Sequence, residues 1–130
     1  GYGPKKIVDE LYKIKPPFNV NKIAQLSAIE SLKDYKFIKK SVQHNLNWSV
    51  KIKKFLENKN IKTNKIAANF FLLDFDSCKK SANYVAKKLE NKGIILRSME
   101  SYKMKNKLRM TIGSIAQNKK FIKEIKNILR

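Results

Sequence analysis

Arginine is almost missing from this chain: of thirty basic side chains only Arg97, Arg109 and Arg130 are arginine, and the rest are lysine. Cys78 is the only cysteine, which excludes an internal disulfide and a metal set built from thiolates, and fits a reducing, cytoplasmic setting. Placed just inside an expected helix start but with no histidine near it in sequence, it reads as a small half-buried residue, not a nucleophile. His44, the only histidine, sits mid-helix beside Gln43 and Asn45 with no carboxylate or cysteine at matching spacing. It reads as a surface residue instead of a base or metal ligand. The ten carboxylates form no obvious pair, and there is no Gly-rich phosphate loop, His/Glu zinc motif or nucleophile elbow. The longest strongly apolar stretch, Ala67 to Leu73, is far too short to span a bilayer. A soluble protein is expected, with no metal site and no active site complete in itself.

What is abundant is lysine, and the net charge reaches +20 over 130 residues. Such an excess points first to nucleic acid, because a basic face releases counterions from a phosphate backbone. The distribution argues otherwise. The lysines are scattered evenly and accompanied by asparagine and isoleucine, as a bias toward A/T-rich codons would leave them, and Phe70, Phe71 and Phe75 lie in an apolar strand pattern instead of alternating with cations. A solvated lysine surface is the reading adopted, with a basic nucleic-acid-binding module as the alternative from another class. The hydrophobic content of 42% suffices for one modest globular domain.

The order of elements follows from periodicity and caps. Pro4 suits a first helical turn, and Ile7, Leu11 and Ile14 predict a short amphipathic helix over residues 5 to 14 that Pro16-Pro17 stops. Asn19 or Asn21 caps a second helix running to about Asp34. A third, from Lys36 to about Asn58, shows Phe37 or Ile38, Val42, Leu46, Val50 and Phe55 on one side; at roughly 35 Å it has the length of a connector between two lobes. Lys65 to Phe75 then reads as a strand, and a helix capped near Asp76-Ser77 runs to about residue 91 and closes at Gly93. Ile94 to Arg97 and Lys107 to Ile112 are two more strands separated by the polar loop Ser98 to Asn106. Ser114 to Gln117 has the spacing of a capping box opening a last helix. The fold class expected is α/β, of the α+β small-domain kind: N-terminal helices including one long connecting helix, then a β-α-β-β-α unit with a small sheet packed against helices.

Within that frame two arginines end one apolar run and begin another, in Gly93-Ile94-Ile95-Leu96-Arg97 and Leu108-Arg109-Met110-Thr111-Ile112-Gly113. Where lysine is the default cation, arginine beside an apolar strand suggests a need for a planar, bidentate fork, whose natural ligand is a carboxylate or phosphate. Residue physics alone leaves open an ordinary exposed side chain or a structural ion pair.

Together with Pro16-Pro17-Phe18-Asn19-Val20-Asn21 and Ala68-Asn69-Phe70, these segments occur in an order that resembles the C-terminal part of the histidinol-phosphate aminotransferase family, pyridoxal-phosphate enzymes of fold type I. The resemblance covers essentially all of the chain. It implies that Gly1-Tyr2-Gly3, which opens without methionine, is the tail of a segment lying just after the lysine that forms the Schiff base, so that the chain is a piece of a longer protein. That lysine, the arginine gripping the cofactor phosphate and the aspartate on the pyridine nitrogen would all lie upstream; no catalytic or cofactor-binding residue is assigned here, and pyridoxal 5'-phosphate would be held by the intact enzyme. The resemblance further implies that Arg97 and Arg109 hold the substrate phosphate, and that Arg109 also takes the carboxylate of the amino-acid co-substrate. Residues 1–15 would end the large cofactor-binding domain, 16–60 form a helical connector and 61–130 the C-terminal small domain. A homodimer acting on histidinol phosphate, imidazole-acetol phosphate, glutamate and 2-oxoglutarate is implied, with no membrane and no nucleic acid. Threonine-phosphate decarboxylases and aromatic aminotransferases share the anion-binding logic. The loop Ser98 to Asn106 lacks the glycines and proline often found in relatives; Tyr102 in it reads as an exposed loop residue.

Overall fold

The computed structural model describes residues 2–130. Among them are five α-helices and a four-stranded antiparallel sheet, a mixed α/β arrangement as expected. Among the described residues no helix is long and apolar enough to cross a membrane. The chain divides into two compact units, one ending at Ile38 and the other Lys39–Arg130.

The first unit holds α1 (Lys5–Ile14) and α2 (Lys22–Lys33). The amides of Ile7 and Val8 both donate to the Pro4 carbonyl, so proline opens α1 without a side-chain cap. Asn21, not Asn19, caps α2, its Oδ1 accepting from the Ala24 amide at 2.8 Å. The apolar positions along both helices nevertheless stay exposed, and no side chain is buried in either.

A third helix, α3 (Tyr35–Glu57), starts where Asp34 Oδ1 accepts from the Phe37 amide. Its length matches the pattern; its buried face does not. Val42, Leu46 and Val50 are exposed, whereas Ser49, Ile52 and Leu56 are buried with Trp48 and Phe55 half-buried beside them. The helix carries two apolar stripes, and counting apolar positions selected the one that meets the core only at Phe55. Ser49 can enter the buried stripe because its hydroxyl donates to the Leu46 carbonyl at 2.7 Å within the helix itself.

The sheet comprises β1 (Lys62–Thr63), β2 (Phe70–Asp74), β3 (Arg97–Ser98) and β4 (Lys107–Thr111) in the order β1-β2-β4-β3. The sequence of elements is therefore β-β-α-β-β-α, one strand more than periodicity indicated. Of the expected strand Lys65 to Phe75, residues 65–69 form a loop and only β2 pairs, while the added strand β1 lies before it: Asn64 Oδ1 takes the Leu72 amide at 2.8 Å and turns the chain back between the two. The expected strand from Ile94 pairs only at Arg97 and Ser98. Its first residue is still tied to the preceding helix, the Ile94 amide donating to the Leu89 carbonyl across Gly93 at φ +71°.

That helix, α4 (Ala82–Glu90), begins five residues later than expected and is capped by Ser81. Asp76 is engaged by Asn106 and Lys107 instead, and Cys78 lies in the preceding turn, half-buried. The last helix, α5 (Ile115–Ile128), carries the expected capping box between Ser114 and Gln117. Phe71 and Leu73 of β2 and Leu108 and Met110 of β4 meet Val85 and Leu89 of α4, Phe121 and Ile125 of α5, and Ile52 and Leu56 of α3 in one core.

Candidate functional site

Strand β4 alternates. Leu108 and Met110 enter the core, which puts Lys107, Arg109 and Thr111 on the opposite face of the sheet. Residues paired directly across strands share a face, so the register Leu72↔Arg109 and Arg97↔Arg109 sets Leu72, Arg109 and Arg97 in one row on that outer face. Two guanidinium groups thus stand on neighbouring strands at opposed positions, where like charges destabilise a sheet.

Among the described residues neither arginine has a carboxylate within ion-pair distance. The contrast is with Lys107 on the same face, which pairs with Asp74 and, at 3.1 Å, with Asp76. Hydrogen bonding to Lys107 holds the Asp74 carboxyl below the usual carboxylate range, and the reciprocal bond raises the Lys107 ammonium. One cation of the face is neutralised while its two neighbours are left uncompensated. Aromatic rings support both: Arg109 Cζ lies 5.1 Å from the Phe70 centroid, and Arg97 Cζ 5.5 Å from that of Tyr102. Arg97 Nη2 also donates to Tyr102 Oη at 3.0 Å. The Nε of Arg109 is buried without a hydrogen-bond partner, and a guanidinium donor out of water and unsatisfied is costly unless something accepts from the group.

Beside the arginines opens a cleft of about 780 Å³, walled by the segment Gly93 to Leu96 on one side and by Gly113, Gln117 and Lys120 at the start of α5 on the other. No carboxylate lines it. Its floor near Gly113 is fixed by polar contacts: Asn118, 1% exposed, accepts from the Gly113 amide at 3.0 Å and donates to the Gly113 carbonyl at 2.9 Å. His44 Nε2 reaches the same carbonyl at 2.8 Å. His44 is therefore half-buried and tied to the turn after β4, a correction to its reading as a surface residue. No sequence signal could have found that tie, because the partners are 69 residues apart.

The structure brings Arg97 and Arg109 together, as the two motifs required if they were to act jointly. Tyr102 is exposed, as expected of it, yet it contacts Arg97, and Phe70 under Arg109 was read only as a strand residue. The first follows from the fold of the 3-10 turn Glu100–Tyr102 and the second from the β2–β4 register, neither of which a single sequence displays. The donor set suits an anion. It does not fit pyridoxal phosphate by itself, since a pyridine nitrogen wants a facing carboxylate and the cleft has none.

A mixed fold of helices and a small antiparallel sheet accords with what comparison shows. The family model described as aminotransferase class I and II matches residues 1–125, and the chain belongs to that family. Among curated relatives, the histidinol-phosphate aminotransferase of Pelagibacter ubique (strain HTCC1062) is 55% identical over 129 residues, covering 98% of this chain. That of Campylobacter hominis is 37% identical over 131 residues, covering 99%. The chain spans only 36% and 35% of the length of these two relatives. Among solved structures, the histidinol-phosphate aminotransferase from Clostridium acetobutylicum superposes with a TM-score of 0.84 at 23% identity, over 95% of this chain and 38% of its own. The L-threonine-O-3-phosphate decarboxylase from Porphyromonas gingivalis gives 0.68 at 21%, over 98% and 40%. These two likenesses speak to the fold.

Proposed function

We propose that this chain is the substrate-gripping part of a pyridoxal-phosphate-dependent histidinol-phosphate aminotransferase, which transfers an amino group between L-glutamate and imidazole-acetol phosphate in histidine biosynthesis. The observation that carries the reading is the in-register pair Arg97 and Arg109, opposed on β3 and β4 without a carboxylate partner. An enzyme of this activity must bind two different anions in turn. Histidinol phosphate has no carboxylate, so its phosphate takes the place that the glutamate carboxylate fills in the other half-reaction. Guanidinium forks serve both, and Arg109, half-buried and held over Phe70, is the shared one.

In this reading residues 1–15 close the large cofactor-binding domain, 16–60 connect, and 61–130 form the small domain. The cofactor supplies the electron sink for amino transfer, and its Schiff-base lysine and phosphate-gripping groups belong to the remaining length of the protein. The lone Cys78 accords with a cytoplasmic setting, and the working form is a homodimer. By itself the chain is inactive.

Full-length protein assayed with each substrate tests the assignment. Arg109→Ala leaves an anion unpaired in a partly dry cleft, a loss of roughly 2–5 kcal/mol in transition-state binding, and depresses kcat/KM with both substrates. Arg97→Ala harms the phosphorylated substrate more than glutamate. Wild-type kinetics for Arg109→Ala would refute the role, and a preference for threonine phosphate or an aromatic amino acid would reassign the substrate while leaving the anion site intact.

A further inference from the structure

Arg97 has a difficult position. It belongs to an edge strand only two residues long and faces Arg109 across the β3–β4 pairing, so charge repulsion and solvent both draw its side chain away from the site. Tyr102 opposes this in two ways at once, the guanidinium lying over the phenol ring at 5.5 Å while Nη2 donates to the hydroxyl at 3.0 Å. Phe70 offers Arg109 a ring alone.

Tyr102 is itself anchored, although its side chain is half-exposed. It ends a one-turn 3-10 segment, Glu100–Tyr102, whose base is the buried Met99; the Tyr102 amide donates to the Met99 carbonyl at 3.0 Å, and the Met99 amide to the Lys107 carbonyl of β4 at 3.2 Å. Lys103 in the left-handed region, at φ +59°, closes the turn by donating to the Glu100 carbonyl, and Asn83 of α4 donates to the Glu100 carboxylate at 3.1 Å. The phenol therefore rises from a turn pinned to the same strand that carries Arg109.

A tyrosine hydroxyl that accepts from a guanidinium still has its own proton to donate. A carboxylate offers two oxygens, which a planar fork satisfies; a phosphate offers a third. We infer that Tyr102 is a positioning and specificity residue of the anion site, holding the Arg97 guanidinium in place and giving its hydroxyl proton to a phosphate oxygen that a carboxylate lacks. The inference rests on the reading of Arg97 and Arg109 as substrate-anion binders.

Steady-state kinetics of the full-length, cofactor-loaded protein test it with Tyr102→Phe, Tyr102→Leu and Arg97→Ala, using histidinol phosphate, glutamate and, as competing probes, inorganic phosphate and acetate. Tyr102→Phe keeps the ring and loses only the hydroxyl. It is expected to raise KM for histidinol phosphate and the inhibition constant of inorganic phosphate by about 3- to 10-fold, the scale of one hydrogen bond in a half-exposed site. The glutamate KM, acetate inhibition and kcat stay within about twofold, because a carboxylate makes no use of the third donor. Tyr102→Leu, lacking the ring as well, weakens phosphate further. If Tyr102→Phe and Tyr102→Leu both match wild type toward phosphate while Arg97→Ala weakens it, the role of Tyr102 is overturned and the anion site stands. If Arg97→Ala also matches wild type, the anion reading fails and takes Tyr102 with it.

Discussion

Gly113 lies in the turn after the strand that carries Arg109, and three side chains act on it. His44 Nε2 and Asn118 Nδ2 donate to its carbonyl, Asn118 Oδ1 accepts from its amide, and a Cβ there would lie 2.6 Å from Gln117 Oε1 and 3.0 Å from Gln117 Cβ. Gln117 is the far half of the capping box, so a side chain at 113 displaces the group that satisfies the Ser114 amide. Gly113→Ala is expected to lose about 1 kcal/mol through that cap. Asn118→Ala leaves the half-buried Gly113 amide without its partner and its carbonyl with His44 alone, and should cost about 1–3 kcal/mol, read from the urea midpoint; wild-type stability for this variant would show that the turn holds without it. The cap was legible because Ser114 and Gln117 are three residues apart and the chemistry is local. Asn118 and His44 were not, since nothing in a helical pattern tells which polar side chain turns inward.

Strands β2 and β4 join through five opposed positions, and the pair Asp74↔Lys107 closes one end of that ladder. The Asp74 carboxyl is lowered first by its bond from Lys107, then by the Asp76 amide at 2.9 Å. A carboxyl whose folded pKa lies below its unfolded value stabilises the fold above the ordinary 3.8, and that contribution is lost as pH falls through the folded value. Lys107 is raised, so its share is complete below the ordinary 10.5 and is lost as pH climbs through the folded value. Between these limits the ladder end keeps its full strength. Asp74→Asn should cost about 1 kcal/mol at neutral pH, the scale of a partly exposed pair, and flatten the loss of stability on acidification. Urea midpoints across the acid range check this, and an unchanged acid slope would remove Asp74 from the account. β4 was readable almost end to end and β2 at its centre from apolar density; the starts of β2, α4 and β3 were not, because Asn64, Ser81 and the Leu89 carbonyl decide where they begin, and each acts through a hydrogen bond that composition does not encode.

Every buried hydrophobic residue, from Ile52 to Ile125, lies in the unit Lys39–Arg130. The unit before it has amphipathic helices with nothing buried among its described residues: Ile7, Leu11 and Ile14 on α1 and Ile23, Ile29 and Leu32 on α2 are all more than half exposed. Periodicity read these helices correctly and could go no further, because it tells which face seeks burial and not whether a partner for that face is present in the chain. Helices of ten and twelve residues are marginal in water when tertiary packing does not hold them. In the chain taken alone, amide hydrogen exchange is therefore expected to be fast throughout α1 and α2 and slow at Leu73, Val85 and Leu108, whose amides belong to elements packed on the core. The chain spans 36% of the length of its Pelagibacter relative, and in the full-length protein the α1 and α2 amides should slow as the remaining length covers those faces. Protection of α2 equal to that of Leu108 in the chain alone would mean that these helices hold without cover, and that the apolar side chains on them serve something other than packing.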